Sequence, residues 1–249
     1  MDSNTKLLLH FDGEYNSSTF SDSSNYENVI TTLGNTKIKN NSCYFDGTGD
    51  CLSIPSSTDF DFGTGDFTFD FWICPKFTSA VVPCIIAPGS TYYTTAGCFY
   101  IGCNHVSARG KVSIHIYELG DPYMVTTTTI STDTWHHVAW VRNGTNLLLF
   151  LDGVLEDTAS VTESRTFNLG VIANYFKIGG QTWDGSPCFY QGQIEEFRIS
   201  KGIARWTATF TPPTSPLVTD SYTKLLLPLN ADFIDYSTNN NVVSPLGNT

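Results

Sequence analysis

The chain has 249 residues, 41% of them hydrophobic, 14% aromatic and only 15% charged, well under the roughly 25% charged of an average globular protein. Its formal net charge is −11, from 13 basic and 24 acidic residues, which excludes the basic footprint of a nucleic-acid binder. Few charges with abundant Thr, Ser, Asn, Gly and aromatics favour pleated strands and tight turns over long helices.

At the N-terminus, Met1 to His10 carries Lys6 and three consecutive leucines, too little for the apolar stretch of a signal peptide. No apolar run approaches the roughly 18 residues of a membrane helix. The seven cysteines (Cys43, Cys51, Cys74, Cys84, Cys98, Cys103 and Cys188) are odd in number and contain no Cys-x-x-Cys pair. They are expected to be reduced, half-buried thiols, so the expected protein is soluble and made in a reducing cytosol.

The predicted elements alternate with a period of two. Phe67, Phe69, Phe71 and Ile73 share one face of a strand, with Thr68, Asp70 and Trp72 on the other, and Pro75 ends it. In Lys111 to Tyr117 the inward set is Val112, Ile114 and Ile116, with Ser113 and His115 outward. Trp135 to Arg142 meets the hairpin signal Asn143-Gly144, returns as Leu147 to Leu151, and turns again at Asp152-Gly153. Phe176 to Ile178 and Ile194 to Ile199 read as further strands. Ile194, Phe197 and Ile199 do not alternate, which predicts a bulge near Glu195-Glu196. No helical stripe competes, so the fold class is all-β.

The chain also repeats itself. Thr5-Lys6-Leu7-Leu8-Leu9 recurs as Thr223-Lys224-Leu225-Leu226-Leu227. Phe20, Asp22, Ser24, Asn28, Val29, Leu33, Gly34, Asn35 and Thr36 recur as Phe233, Asp235, Ser237, Asn241, Val242, Leu246, Gly247, Asn248 and Thr249. A Pro-rich stretch, Thr211 to Pro216, has linker composition. The expected organisation is a main domain over 1–211 and a linker with a partial second copy over 212–249. A segment that short cannot bury a core alone. Either the sequence is a window on a tandem array, or residues 222–249 dock as added strands on their own or a neighbouring sheet.

Several segments in order resemble the laminin-G-like jelly-roll group of the concanavalin A-like lectin and glucanase superfamily. They are Tyr44-Phe45-Asp46-Gly47-Thr48-Gly49-Asp50, Gly65-Asp66-Phe67-Thr68-Phe69-Asp70-Phe71-Trp72 and Trp135-His136-His137-Val138-Ala139-Trp140. Phe150-Leu151-Asp152-Gly153, Gln193-Ile194-Glu195-Glu196-Phe197-Arg198-Ile199 and the Trp206 region complete the series. The resemblance implies a two-sheet antiparallel jelly-roll sandwich. It also implies a binding or display role of the kind such modules play in phage tails, virions and bacterial surface proteins.

A structural Ca²⁺ follows from the same resemblance, with Asp12, Asp22, Asp46 and Glu195 at the matching positions, and ordinary turn carboxylates as the alternative. Sugar recognition needs exposed aromatics beside amides and carboxylates. The loop Gln181 to Tyr190 has that chemistry in Trp183, Asp184 and Tyr190, and Tyr92 and Asn104 are further candidates. Catalysis is not expected. A retaining glycosidase needs two carboxyls about 5–5.5 Å apart, and the Glu-x-Asp-x-x-Glu of the glucanase relatives is missing from the sequence. His136-His137 reads as structural. Expected partners are a glycan or cell-surface polysaccharide, or other virion or surface subunits, including self-association through 222–249, but neither nucleic acid nor membrane. The alternative to a sugar-binding module is a structural virion module that binds protein.

Overall fold

The computed structural model describes residues 10–11, 16–17, 35–39, 42–55, 57–77, 83–89, 96–105, 107–169, 175–183, 185–214, 217, 220–227, 232–233, 235, 237, 239 and 241–246. Two antiparallel sheets stack as a sandwich. The front sheet runs, in spatial order, Val154–Ser160, Asn146–Leu151, His136–Asn143, Phe67–Pro75, Gln191–Lys201, Cys43–Asp46 and Lys37–Ile38, and Thr223–Leu227 also pairs with Gln191–Lys201. The back sheet runs Gly120–Val125, Ala108–Ile116, Phe99–His105, Cys84–Pro88, Tyr175–Ile178, Cys51–Pro55 and Ser244–Leu246. A hairpin, Gly180–Trp183 with Ser186–Phe189, lies against Cys84–Pro88.

Period-two burial explains the stacking. Phe67, Phe69, Phe71 and Ile73 from the front sheet and Ile86, Phe99, Ile101, Val112, Ile114 and Ile116 from the back sheet enter one apolar core. Trp140 sits in it, fully buried, with Phe67 at 4.7 Å, Phe99 at 4.8 Å and Phe69 and Phe167 at 5.7 Å between ring centroids. The hairpin predicted at Asn143-Gly144 forms with Asn143 opposite Asn146, and the second turn falls at Asp152-Gly153.

The outer faces differ from a simple alternation. Ser113 and His115 do point away from the core but are buried, because Tyr100 stacks on His115 at 4.0 Å and the Ser113 hydroxyl lies 2.8 Å from His115 Nε2. On the front sheet, Ala204, Trp206 and Phe210 pack over Ala139, Val141, Leu148 and Phe150. Beneath this roof Arg198 makes a two-pronged bond to the fully buried Asp70, 2.9 Å at each oxygen. His137 is buried there too, ringed by Trp72, Trp206 and Phe210, with Nε2 3.9 Å from Asp70. It is a packed residue, as expected. His136 is structural as well: its Nδ1 bonds Asp152 at 2.8 Å, and its Nε2 accepts from the Ser131 backbone.

The predicted bulge is present. Between Glu195 opposite Trp72 and Arg198 opposite Asp70, two residues face one, and Glu196 adopts a φ of +52°. The extra residue resets the phase, so Ile194, Phe197 and Ile199 all reach the core. It also turns Glu196 aside to accept the Leu217 backbone N–H at 2.6 Å.

Burial pushes the Glu196 carboxyl up to about 7, with Glu195 adding repulsion and the Leu217 N–H and Arg198 opposing. Burial and repulsion from Asp46 likewise lift Asp50 to about 6. Both groups bind protons more tightly folded than unfolded, so their contribution is complete below the ordinary carboxylate range and is lost as pH rises through 6 and 7. Asp220, held down to about 2 by Arg205 and Thr223 against the effect of burial, contributes in the opposite sense and is lost in strong acid. Unfolding free energy measured by denaturant titration should therefore fall between about pH 4 and 7. Glu196→Gln should flatten that slope.

All seven cysteines are free thiols in the structure. Burial raises the pKa of Cys43, Cys51, Cys84, Cys98 and Cys103, which keeps them protonated and unreactive.

Residues 220–246 are not a detached tail. Thr223–Leu227 pairs with Phe197 to Ser200 of the front sheet, Ser244–Leu246 pairs with Cys51 to Ser53 of the back sheet, and Leu225, Leu227 and Val243 join the main core. The described strands of the second copy thus dock on the chain's own sheets, an arrangement compatible with either origin of the repeat.

Candidate functional site

One rim of the sandwich carries a cleft of about 250 Å³ lined by Asp46, Gly47, Thr48, Lys76, Phe77, Pro83, Phe189 and Gln191. Its first wall is the turn from Asp46 to Asp50. Gly47 and Gly49 take φ values of +87° and +84°, which side chains disfavour. Asp46 Oδ1 accepts the Thr48 N–H at 2.6 Å. The fully buried Asp50 closes the turn from behind, its Oδ2 accepting the Asp46 N–H at 2.9 Å and its Oδ1 the Asn35 N–H at 3.1 Å. A Cβ on Gly47 would come 3.0 Å from Gln191 Cβ, so glycine lets the turn close down on the opposite wall.

Pro75 ends its strand and delivers Lys76 and Phe77 to the second wall, where the Lys76 N–H donates to the Gln191 carbonyl at 2.8 Å. The third wall comes from the hairpin. Alternation buries Cys188 and Tyr190 and leaves Phe189 half-exposed. Gly180, directly opposite, leaves room for the Phe189 ring; a Cβ there would fall 2.3 Å from Cδ1. The cleft therefore offers two aromatic rings and a proline beside a carboxylate, a hydroxyl, an ammonium and an amide.

The sugar-binding candidates fare differently. Tyr190 cannot serve as a stacking platform: it is fully buried, edge-on to Phe45 at 6.1 Å, and its hydroxyl donates to the Gln193 carbonyl at 3.1 Å. Asn104 is buried at a positive φ of +58°, and its Oδ1 accepts the Gly110 N–H at 3.0 Å, the work of a turn residue. Trp183 ends the first hairpin strand opposite Ser186, but its side chain lies outside the described residues, as do Asp184 and Tyr92. Phe189, Lys76 and Phe77 were not singled out from sequence. The alternation Cys188–Phe189–Tyr190 signals which aromatic faces out once the hairpin register is known.

The calcium set is not assembled among the described residues. Asp46 pairs with Gln191, and Glu195 lies four residues farther along the same strand, roughly 13 Å away at strand spacing. That separation does not fit a shared ion. Asp12 and Asp22 lie outside the described residues; among the described residues no group of three His, Cys, Asp or Glu is close enough to hold a metal. Asp50 accepts the backbone N–H groups of Asp46 and Asn35, so it is committed to holding the turn.

Comparison with known proteins agrees with this architecture. The family model of the concanavalin A-like lectin/glucanases superfamily, laminin G type, matches residues 46–205. Among curated proteins no significant match is found. A Bacteroides ovatus protein described as carbohydrate-binding superposes with a TM-score of 0.58 at 12% identity, over 88% of this chain and 62% of its own. The binding domain of Paraclostridial Mosquitocidal Protein 1 gives 0.56 at 15%, over 80% and 49%. Domain 4 of the extracellular arabinanase AbnA of Geobacillus stearothermophilus, solved with arabinotriose, gives 0.52 at 17%, over 80% and 94%. The chain thus spans less than two thirds of the first two, and at such identities the likeness is one of fold. With the family model matching well over half of its length, the chain belongs to the concanavalin A-like lectin/glucanase superfamily.

Proposed function

We propose that the chain is a non-catalytic carbohydrate-binding module, displayed on a virion or cell-surface protein, whose sugar site is the rim cleft between Asp46–Thr48, Lys76–Phe77 and Phe189–Gln191. The observation that carries this reading is the pairing, within one cleft, of aromatic rings that can stack on sugar C–H faces with groups that can bond hydroxyls. At about 250 Å³, below the roughly 300–1,000 Å³ of pockets for drug-sized ligands, the cleft suits a chain end or a short stretch of polysaccharide. The fold relatives supply a binding context: one is described as carbohydrate-binding and another was solved with a bound arabinotriose.

The test is a glycan-array screen, repeated with a chelator. Specific binding that falls at least tenfold in Phe189→Ala and Gln191→Ala, with thermal stability retained, is the expected result, a tenfold loss being about 1.4 kcal/mol. Binding that survives both substitutions would move the site elsewhere, with Trp183 and Asp184 the next to replace. Loss only in chelator would reinstate calcium, through Asp12 or Asp22. No binding to any glycan would leave the protein-binding virion module as the better reading.

A further inference from the structure

The hairpin that carries Phe189 to the cleft is rooted on the back sheet. Phe189 pairs with Cys84, the Gly179 N–H donates to the Ile85 carbonyl at 2.9 Å, and Gln181 Nε2 donates to the Pro88 carbonyl at 2.7 Å and to that of Gly89. Where the two elements meet, they bring two thiols together. Cys84 and Cys188 belong to one buried cluster with Ala87, Cys98 and Tyr100. Because Phe189 is the ladder partner of Cys84, Cys188 stands one residue off in register. At strand spacings of about 4.8 Å across and 3.3 Å along, their Cα atoms are about 6 Å apart, inside the ~4.4–6.8 Å window of a disulfide.

The neighbouring thiols do not compete. Cys103 follows Gly102, the partner of Cys84 in the ladder, but its side chain enters the main core on the other face of the sheet. Cys98 lies four residues before Gly102, roughly 13 Å away at strand spacing.

The two thiols are also unequal. Cys188 reaches solvent, at 9% exposure against 0% for Cys84. A hydrogen bond from Cys84 lowers the Cys188 pKa against the effect of burial. Burial, helped by the same bond, raises that of Cys84 well above the ordinary thiol value. Thiol–disulfide exchange needs this division: an accessible thiol that attacks and a shielded one that resolves.

We propose that Cys84 and Cys188 form an oxidation site, at which an external low-molecular-weight disulfide closes an intrachain disulfide that staples the hairpin to the back sheet. The Cys188 thiolate attacks one sulfur of RS–SR. The S–S bond breaks, RS⁻ leaves and takes up the proton that Cys188 gave up, and Cys188 holds a mixed disulfide. Cys84 then loses its proton and attacks Cys188 Sγ, and the second RS⁻ leaves with that proton. Two protein thiols are oxidised by two electrons, and RS–SR is reduced to two RSH. The pair therefore stays open against a strongly reducing thiol pool and closes against an oxidising one. Phe189 follows Cys188 directly, so the staple fixes that wall of the cleft relative to the back sheet, whatever the cleft binds.

The test uses the full chain, incubated with oxidised glutathione, alkylated and mapped by mass spectrometry. Two of the seven thiols should be lost, in a single peptide pair joining Cys84 to Cys188, and reductant should restore both. Cys84→Ala should instead accumulate glutathione on Cys188, because nothing resolves the mixed disulfide. Cys188→Ala should leave Cys84 unmodified. The oxidised parent should melt at least ~4 °C above the reduced one, with no such rise in either variant. A parent that keeps all its thiols, a link through any other pair, or glutathione on the more exposed Cys74 with Cys188 untouched would overturn the site. The map of the parent decides the pairing even if a variant fails to fold. A Cys84–Cys188 link that leaves the melting temperature unchanged would overturn the staple.

Discussion

Replacing Arg198 with methionine should cost about 3–5 kcal/mol of folding free energy, the usual penalty for leaving one charge of a buried pair without its partner. Asp70 is fully buried, and both of its oxygens are engaged by Arg198. His137 Nε2 lies 3.9 Å from Asp70, and neither of its ring nitrogens has a hydrogen-bond partner among the described residues. Methionine keeps the apolar bulk under Trp206 but cannot satisfy the carboxylate. The cost should be nearly independent of salt, because the pair lies beneath the Ala204–Phe210 roof. The informative control is Asp70→Leu with Arg198→Met. Removing both charges avoids their desolvation, so the double variant should recover most of the loss. Urea denaturation of the four proteins in a double-mutant cycle would check this; a double variant as unstable as the sum of the singles would show that the pair does not act as a unit.

Trp140→Ala should be comparably damaging, about 3–5 kcal/mol. The indole touches Phe67, Phe69, Phe99 and Phe167, drawn from both sheets and from the short strand Phe167–Asn168. Its loss opens a cavity ringed by aromatics that cannot collapse without separating the sheets. Trp140→Phe should cost markedly less than the alanine variant. The indole N–H has no partner among the described residues, so phenylalanine removes an unsatisfied donor while keeping most of the contact. Thermal melts of the two variants would separate the cavity from the polar contribution; equal losses would mean that the N–H is satisfied after all.

Much of this fold was legible because its signals are local. Phe67 to Ile73 alternates strictly, Asn143-Gly144 and Asp152-Gly153 mark turns that bracket a strand, and the broken rhythm of Ile194, Phe197 and Ile199 betrayed the bulge. The roof was not legible from alternation. Asp70, Ser113, His115 and His137 occupy the polar phase of their strands, and only tertiary packing of Trp206, Phe210 and Tyr100 shows that this phase is buried. The site was less legible still. Tyr190 looked like a loop aromatic available to a sugar, but one step of hairpin register turns it inward and Phe189 outward. Lys76 and Phe77 were passed over because their place in the cleft depends on Pro75 ending a strand beside a turn about thirty residues earlier in the chain. A cleft of three sequence-distant walls has no local signature.

The two covered faces leave a geometric consequence. A sandwich that binds on a broad sheet ties recognition to the strands that also carry its core. Here the front is roofed by its own chain, and Tyr100, Ser113 and His115 are buried on the outside of the back. The candidate cleft lies instead among the turns, between Asp46–Thr48, Lys76–Phe77 and Phe189–Gln191. Turns can change sequence with little effect on the packed interior, while edges can join one unit to the next. Such a body can vary its recognition surface at the turns while leaving the strands that carry its core unchanged.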